Sequence, residues 1–257
     1  MPRRGNNAYV DDSVFQQKAK KLARKLGVDE YEFVKEQTGL LAREVAKMTP
    51  PYASFPSLVK GTSVGTAKDI KAGEWAVYND IKQICFIVPD DVAERTRRAT
   101  KGGPVYRRGK IVAPGVISSM SLLSAWHRKN KGLNGRTKDL DVPLLPWVGE
   151  TLFVNYAKTQ QKEVGIAKAA FYKASLALGA KGAAVAGIKR HLAKTTGSGR
   201  MTKARKGPAG NISGSADGLW HTNRHLPALQ RNRLIKAVKR LEYIGKKAAK
   251  ESGFKTR

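Results

Sequence analysis

From Arg95 to Lys138 the chain carries twelve basic residues and not one acidic residue. Any fold must spread such a run or turn it outward, because a compact state with an excess of one charge sign repels itself. Between Glu163 and Asp217 a second stretch repeats the pattern, with ten basic residues and no carboxylate. Over the whole chain 49 Lys and Arg stand against 20 Asp and Glu, a formal charge of +29. Such a field draws nucleic acid, anionic membrane or acidic protein surface. The cations gather partly where the backbone signals are loose: Gly102-Gly103-Pro104 and Gly132 to Gly135 in the first block, and the Gly, Ser and Thr-rich stretch Thr195 to Gly218 in the second. That last stretch reads as an extended, poorly packed arm.

Between and around these blocks the chain has the material for a core. At 257 residues with 41% apolar content it can bury one sizeable core or two small ones. Phe15, Ala19, Leu22 and Leu26 fall on one helical face, which predicts a helix over 13–26 ended by Gly27. Asp29 and Glu32 read as a capping box, and Val34, Thr38, Leu41, Val45 and Met48 continue a stripe to Pro50-Pro51. Residues 52–73, with Pro56, Gly61, Gly65 and Gly73, predict a loop or short irregular strands. Trp75 to Tyr78 and Ile81 to Val88 predict two strands or a hairpin about Asn79-Asp80, with a short helix starting at Asp90-Asp91. Helical spacing returns over 116–128, over 150–178 despite Gly165, and from about Leu226 to Ser252, where Leu234, Val238, Leu241 and Ile244 or Gly245 form the expected stripe, while the small residues of 180–193 are read as a further helix.

The chemistry of a site is sparse. The single cysteine, Cys85, sits in the apolar run Ile84 to Val88, which excludes a disulfide framework and predicts a buried structural thiol in a reducing compartment. The N-terminal arginines are not followed by an apolar signal segment, and no run of about 18 apolar residues is present, so neither secretion by a signal peptide nor a membrane span is expected. Phosphate-cradling, dinucleotide-binding and His-Glu-x-x-His patterns are missing. His127, His191, His221 and His225 lack metal-ligand spacing and read as packing, capping or solvent groups. A metal-dependent nuclease needs converging carboxylates, whereas Asp139, Asp141 and Glu150, the nearest approach to a cluster, read as a solvated loop. Trp147 and Trp220 read as core or interface anchors before base-stacking platforms. The expectation is a protein without catalytic, cofactor or metal residues.

Three stretches carry a likeness to a known group: Phe33 to Ala42 running on to Thr49-Pro50-Pro51, Tyr156 to Phe171, and Ile188 to His191. In that order they resemble minor structural proteins of tailed bacteriophages, the neck and tail-completion group that joins head to tail. The resemblance implies an α+β subunit that assembles as a homo-oligomeric ring around the portal or tail axis, contacts other virion structural proteins, is located in the virion and catalyses nothing. The chain is longer and far more basic than that compact form.

The expected architecture is therefore α+β, with long helices packed on a small antiparallel sheet and extended basic loops. An N-terminal arm over 1–12 precedes a single domain over 13–257, whose basic loops lie at about 95–115 and 195–218. The residues assigned to contact an acidic partner or DNA are Arg95, Arg97, Arg98, Arg107, Arg108, Lys110, Arg200, Lys203, Arg205 and Lys206. Head-to-tail joining through protein contacts, with viral DNA as a further partner and no membrane, is the first expectation. A free basic nucleic-acid-binding protein, serving packaging or RNA binding, is the alternative.

Overall fold

The computed structural model describes residues 8–9, 29–53, 64–130, 144–184, 186–204, 207–214 and 219–251. The helix expected over 13–26 lies outside them. The described chain is α+β, as expected, but it groups into two compact units where one domain was expected: residues 1–71 with 165–257, and residues 72–164. The physical reason is that each unit has its own apolar cluster, and the second is an insertion between the parts of the first.

In the first unit, helix α1 (Glu30–Met48) starts where Asp29 accepts hydrogen bonds from the backbone N–H groups of Tyr31 (2.8 Å) and Glu32 (3.2 Å). This cap satisfies donors that the first helical turn leaves free. All five residues of the predicted stripe are buried, and Thr49 closes the helix by donating its hydroxyl to the Val45 carbonyl. The stripe meets helix α6 (Ile166–Ala177) in one core with Phe171, Leu178, Ile188 and Leu229. Burying a side chain of that size contributes about 1.5–3 kcal/mol.

Within the stretch read as an unpacked arm, most of the described residues form instead an antiparallel pair, β7 (Ser198–Ala204) with β8 (Gly207–Gly214), while 205–206 and 215–218 lie outside the described residues. Two residues of the expected N-terminal arm, β1 (Ala8–Tyr9), pair antiparallel with β8, so β8 is the middle of a three-stranded sheet. Glycine here marks close packing, not looseness. A Cβ on Gly199 would lie 2.2 Å from the Ala174 carbonyl oxygen, and one on Gly210 would lie 2.4 Å from the Thr38 hydroxyl. The hairpin is thus seated on α6 and α1, and Ile212 joins their core.

The long C-terminal helix α8 (Leu219–Glu251) buries Leu229, Arg233, Ala237 and Leu241, a stripe offset from the expected Leu234 and Val238. It is tied to α1 by Glu44, which accepts from Arg233 (3.4 Å) and Lys236 (3.2 Å), and by Arg240 on Glu36 (3.2 Å). The helix expected over 150–178 is two helices. Gly165 takes φ +98, a conformation that only glycine adopts readily, and breaks the run between α5 (Glu150–Gln161) and α6. Of the helix expected over 180–193, only α7 (Ala186–Lys189) is helical among the described residues.

Helix α2 (Ala67–Lys82) occupies much of the region predicted as loop and hairpin. Its start was legible: Thr66 and Asp69 cap each other, the Thr66 N–H donating to the carboxylate (2.7 Å) and the Asp69 N–H to the hydroxyl (3.1 Å). Ile70, Val77 and Ile81 then fall at helical spacing, which overrides the β propensity of the same residues.

The second unit is built on a parallel sheet, β2 (Phe86–Val88), β5 (Val116–Ile117) and β6 (Trp147–Gly149), in the order β2-β6-β5. Side chains alternate across it. Ile87, Ile117 and Val148 face one cluster with Ile81, Leu123 and Phe153. Val88, Val116 and Trp147 face the other with Ala93, Val105 and Ala113. Coverage of both faces is what a parallel sheet needs. The first cluster takes helices α4 (Met120–Asn130) and α5; the second takes helix α3 (Asp90–Thr100) and the antiparallel hairpin β3 (Val105–Arg107) with β4 (Lys110–Ala113).

Candidate acidic-partner interface

The ten cations assigned from the sequence fall into three settings. Arg95, Arg97 and Arg98 lie on α3 and are already engaged. Arg95 pairs with Asp91, Arg97 makes a two-pronged contact with Glu94 (2.8 and 2.9 Å), and Arg98 reaches the same carboxylate (2.7 Å). Hydrogen bonds from Arg97 and Arg98 hold the Glu94 carboxyl down at about 2, and the same contact raises the Arg97 pKa. The acid-free block therefore begins one helical turn after its own counter-charges. Asp91 and Glu94 face three guanidinium groups within one helix, so much of the charge of this patch is already compensated, while Asp90 accepts from Thr151 instead.

Arg107, Arg108 and Lys110 are different. They surround the turn of the β3–β4 hairpin, where Arg107 pairs with Lys110 and Arg108-Gly109 makes the two-residue connection. Arg108 has φ +50 and Gly109 φ +76, the positive pair that a type I′ turn requires. Glycine or asparagine is the easy choice at the first position; an arginine there costs on the order of 1 kcal/mol. All three cations are exposed, and among the described residues none of them makes an ion pair. The other non-glycine residue with positive φ among those described is Lys101, the exposed cap of α3.

In the second block Arg200 is exposed on β7, opposite Asn211. Lys203 lies next to the end of the same strand, opposite Pro208. Arg205 and Lys206 lie outside the described residues. The structure thus brings Arg107, Arg108 and Lys110 together at one turn, and Arg200 and Lys203 onto one strand.

The hairpin's exposed apolar surface was missed by sequence reasoning. Tyr106 is 62% exposed and Phe86 is 55% exposed, and with Trp147 they line an open groove of about 910 Å³ in the second unit. A signal was available: the two-residue step Arg108-Gly109 sits between Val105-Tyr106 and Ile111-Val112, a hairpin pattern.

The remaining reactive groups are held in structural roles. Cys85 is buried, donates to the Ile81 carbonyl, and is pushed up to about 12 by burial. A thiol in that state is a poor nucleophile. His127 bridges Asp80 (2.9 Å) and Tyr156 (2.9 Å), linking α2, α4 and α5; burial raises the pKa of Tyr156. His191 is buried beside Arg190. Trp147 packs with Phe86 at 6.2 Å between ring centres, the anchor role expected of it. The side chains of Trp220, His221 and His225, together with Asp139 and Asp141, lie outside the described residues, while Glu150 is exposed at the start of α5. Among the described residues no three His, Cys, Asp or Glu side chains are grouped to hold a metal ion, and no helix is long and apolar enough to cross a membrane.

No protein-family model matches the chain, and no curated protein or solved structure is significantly similar to it.

Proposed function

We propose that the chain is a non-enzymatic assembly subunit that grips an acidic partner through the β3–β4 turn. The observation that carries this reading is the turn itself: Arg107, Arg108 and Lys110 within four residues, all exposed and, among the described residues, without an ion pair. Arg108 is held at φ +50, where a smaller residue would cost less. A strained cation at an exposed turn suits a site kept for contact more than one kept for stability. Three charges at one turn match adjacent phosphates or a cluster of carboxylates, and they convey no base-sequence preference.

The place we propose is the virion of a tailed bacteriophage, at the head-to-tail junction or in the tail. The support is the resemblance over 33–51, 156–171 and 188–191 together with the charge. A ring of such subunits around the axis along which DNA passes would repeat the basic turn around one duplex, and symmetry would multiply a weak contact. Other virion structural proteins would form the remaining contacts.

Two measurements test this. Replacement of Arg107, Arg108 and Lys110 together by Ser should leave the circular dichroism spectrum unchanged and lower the salt slope of duplex-DNA binding, by up to about 0.9 per lost phosphate contact. The same variant should enter phage particles poorly. Unchanged DNA binding and unchanged incorporation would remove the turn from the function. Salt-sensitive binding to free DNA or RNA without incorporation of the parent chain into particles would favour the free nucleic-acid-binding alternative.

A further inference from the structure

The groove beside the hairpin has a different chemistry from the turn. Its walls are Phe86, Tyr106, Val112, Leu144 and Trp147, contributed by β2, β3, β4 and the approach to β6. Phe86, Tyr106 and Leu144 are exposed, so apolar area is concentrated in one concave place and not scattered singly. Among the described residues the charged ones that line the groove are Arg95 and Arg107, and none is a carboxylate. Arg95 is already engaged with Asp91 at its edge, whereas Arg107 makes no ion pair among the described residues. The remaining polar side chains are Thr96 and Thr100, and the Thr100 hydroxyl already donates to the Thr96 carbonyl.

The geometry points to this groove as a docking site for a short acidic and apolar segment of another protein, its Leu, Phe or Trp side chains in the groove and its Asp or Glu on Arg107 and Arg95. The volume is right for a few large side chains. Charge decides between occupants. A nucleobase would find donors in Arg95 and Arg107, but among the described lining residues no carboxylate or amide side chain accepts from its exocyclic amines, so its edges would be only partly satisfied. A second copy of this chain, with 49 basic against 20 acidic residues, has few carboxylate-rich segments to offer this groove, so contacts between copies in a ring are better made elsewhere on the surface. A carboxylate-bearing segment is drawn by the overall field, then held by apolar burial with a charge-assisted bond to guanidinium. The inference rests on the reading of the chain as an assembly subunit for the kind of partner, and adds a second contact that adjoins the turn and shares Arg107 with it.

The test starts from a random dodecapeptide library displayed on a carrier and selected on the full chain. The expected consensus combines Asp or Glu with Leu, Phe or Trp. A selected peptide, labelled with fluorescein, is then titrated by anisotropy against the parent chain and two variants. Phe86→Ser with Tyr106→Ser should weaken peptide binding at least tenfold and leave duplex-DNA binding unchanged. Arg108→Ser with Lys110→Ser should do the reverse, so failure of the groove and failure of the turn are read separately. Both pairs of residues are exposed, and circular dichroism checks that each variant folds. A consensus without acidic residues overturns the inference, as does equal peptide binding by the first variant or competition by single-stranded DNA at the same site. Self-association of the parent chain that is lost in the first variant would assign the groove to a second copy and overturn it too.

Discussion

The β3–β4 hairpin and the β7–β8 hairpin are both rich in cations and glycine, and both come from acid-free stretches of sequence. In β3–β4 the glycine serves the turn: Gly109 has φ +76 and open space around its missing Cβ. In β7–β8 the glycines serve the faces of the strands, where Gly199 and Gly210 let α6 and α1 come closer than any side chain allows. The first hairpin leaves its turn free to meet a partner; the second is part of a core. Charge density in the sequence is the same cue in both places, and the neighbouring helices decide what it becomes.

Substituting the glycines breaks this comparison most sharply. Gly199→Val forces a side chain into the Ala174 carbonyl, and Gly210→Val forces one into Thr38. Overpacking of a seated strand costs about 3 kcal/mol or more when backbone cannot yield. Gly109→Ala meets no neighbour and suffers only the left-handed backbone penalty, about 1 kcal/mol. Urea midpoints of the three variants test the difference. Equal losses at positions 109, 199 and 210 would mean that the second hairpin is not packed as described.

A second contrast concerns where the cations go. Lys168, in the second block, is 1% exposed, donates from Nζ to the Lys47 carbonyl (3.0 Å), and is lowered to about 8 by burial, with Asp69 partly opposing the shift. The folded chain then releases this proton before the unfolded chain does. Below about pH 8 both states are protonated and the burial cost is fully present; as pH rises from about 8 toward the unfolded value of 10.5, stability increases. The gain is on the order of 3 kcal/mol at most. Lys168→Met should flatten this rise relative to the parent chain in chemical denaturation across that range. The difference between the two slopes removes the general relief of repulsion that every lysine shares. Identical slopes would show that Lys168 is not buried as a charge.

Cys85 gives a smaller, kinetic check on the second unit. A thiol raised to about 12 is almost wholly protonated at pH 8. Reaction with a disulfide reagent should therefore be slow in the native chain and fast in urea. Fast native labelling would show that the cluster of Ile81, Leu123 and Phe153 opens readily.

The elements that were legible in the sequence had both a cap and a stripe. Asp29 with Val34, Thr38, Leu41, Val45 and Met48 defined α1, and the structure buries every residue of that stripe. Two of the misreadings share a cause, propensity weighed without neighbours. Trp75 to Tyr78 looked like a strand because its residues favour strands, although Thr66 and Asp69 had already opened a helix upstream. Thr195 to Gly218 looked loose because it is rich in glycine, although Gly197, Gly199, Gly210 and Gly214 are needed for close approach to residues of α6 and α1. Among the candidate site residues, Arg95, Arg97 and Arg98 were read without Asp91 and Glu94, which lie just upstream of the block and one helical turn away in space. The groove could not be read at all, because Phe86, Tyr106 and Trp147 meet only through the sheet and the packed hairpin.

The mildest substitution separates stability from contact at the free turn. Arg108 occupies the first position of a type I′ connection, where asparagine tolerates positive φ better than arginine. Arg108→Asn should raise the stability of the chain slightly, by less than about 1 kcal/mol, since the native conformation becomes easier and no packed contact is lost. It should also remove a cation from the proposed grip and lower the salt slope of duplex-DNA binding by roughly one phosphate. A gain in melting temperature together with a loss of DNA affinity is the signature of a residue that strains the turn for the sake of its charge. If Arg108→Asn instead destabilised the chain and left binding unchanged, the guanidinium would be a structural group and the first hairpin would resemble the second after all.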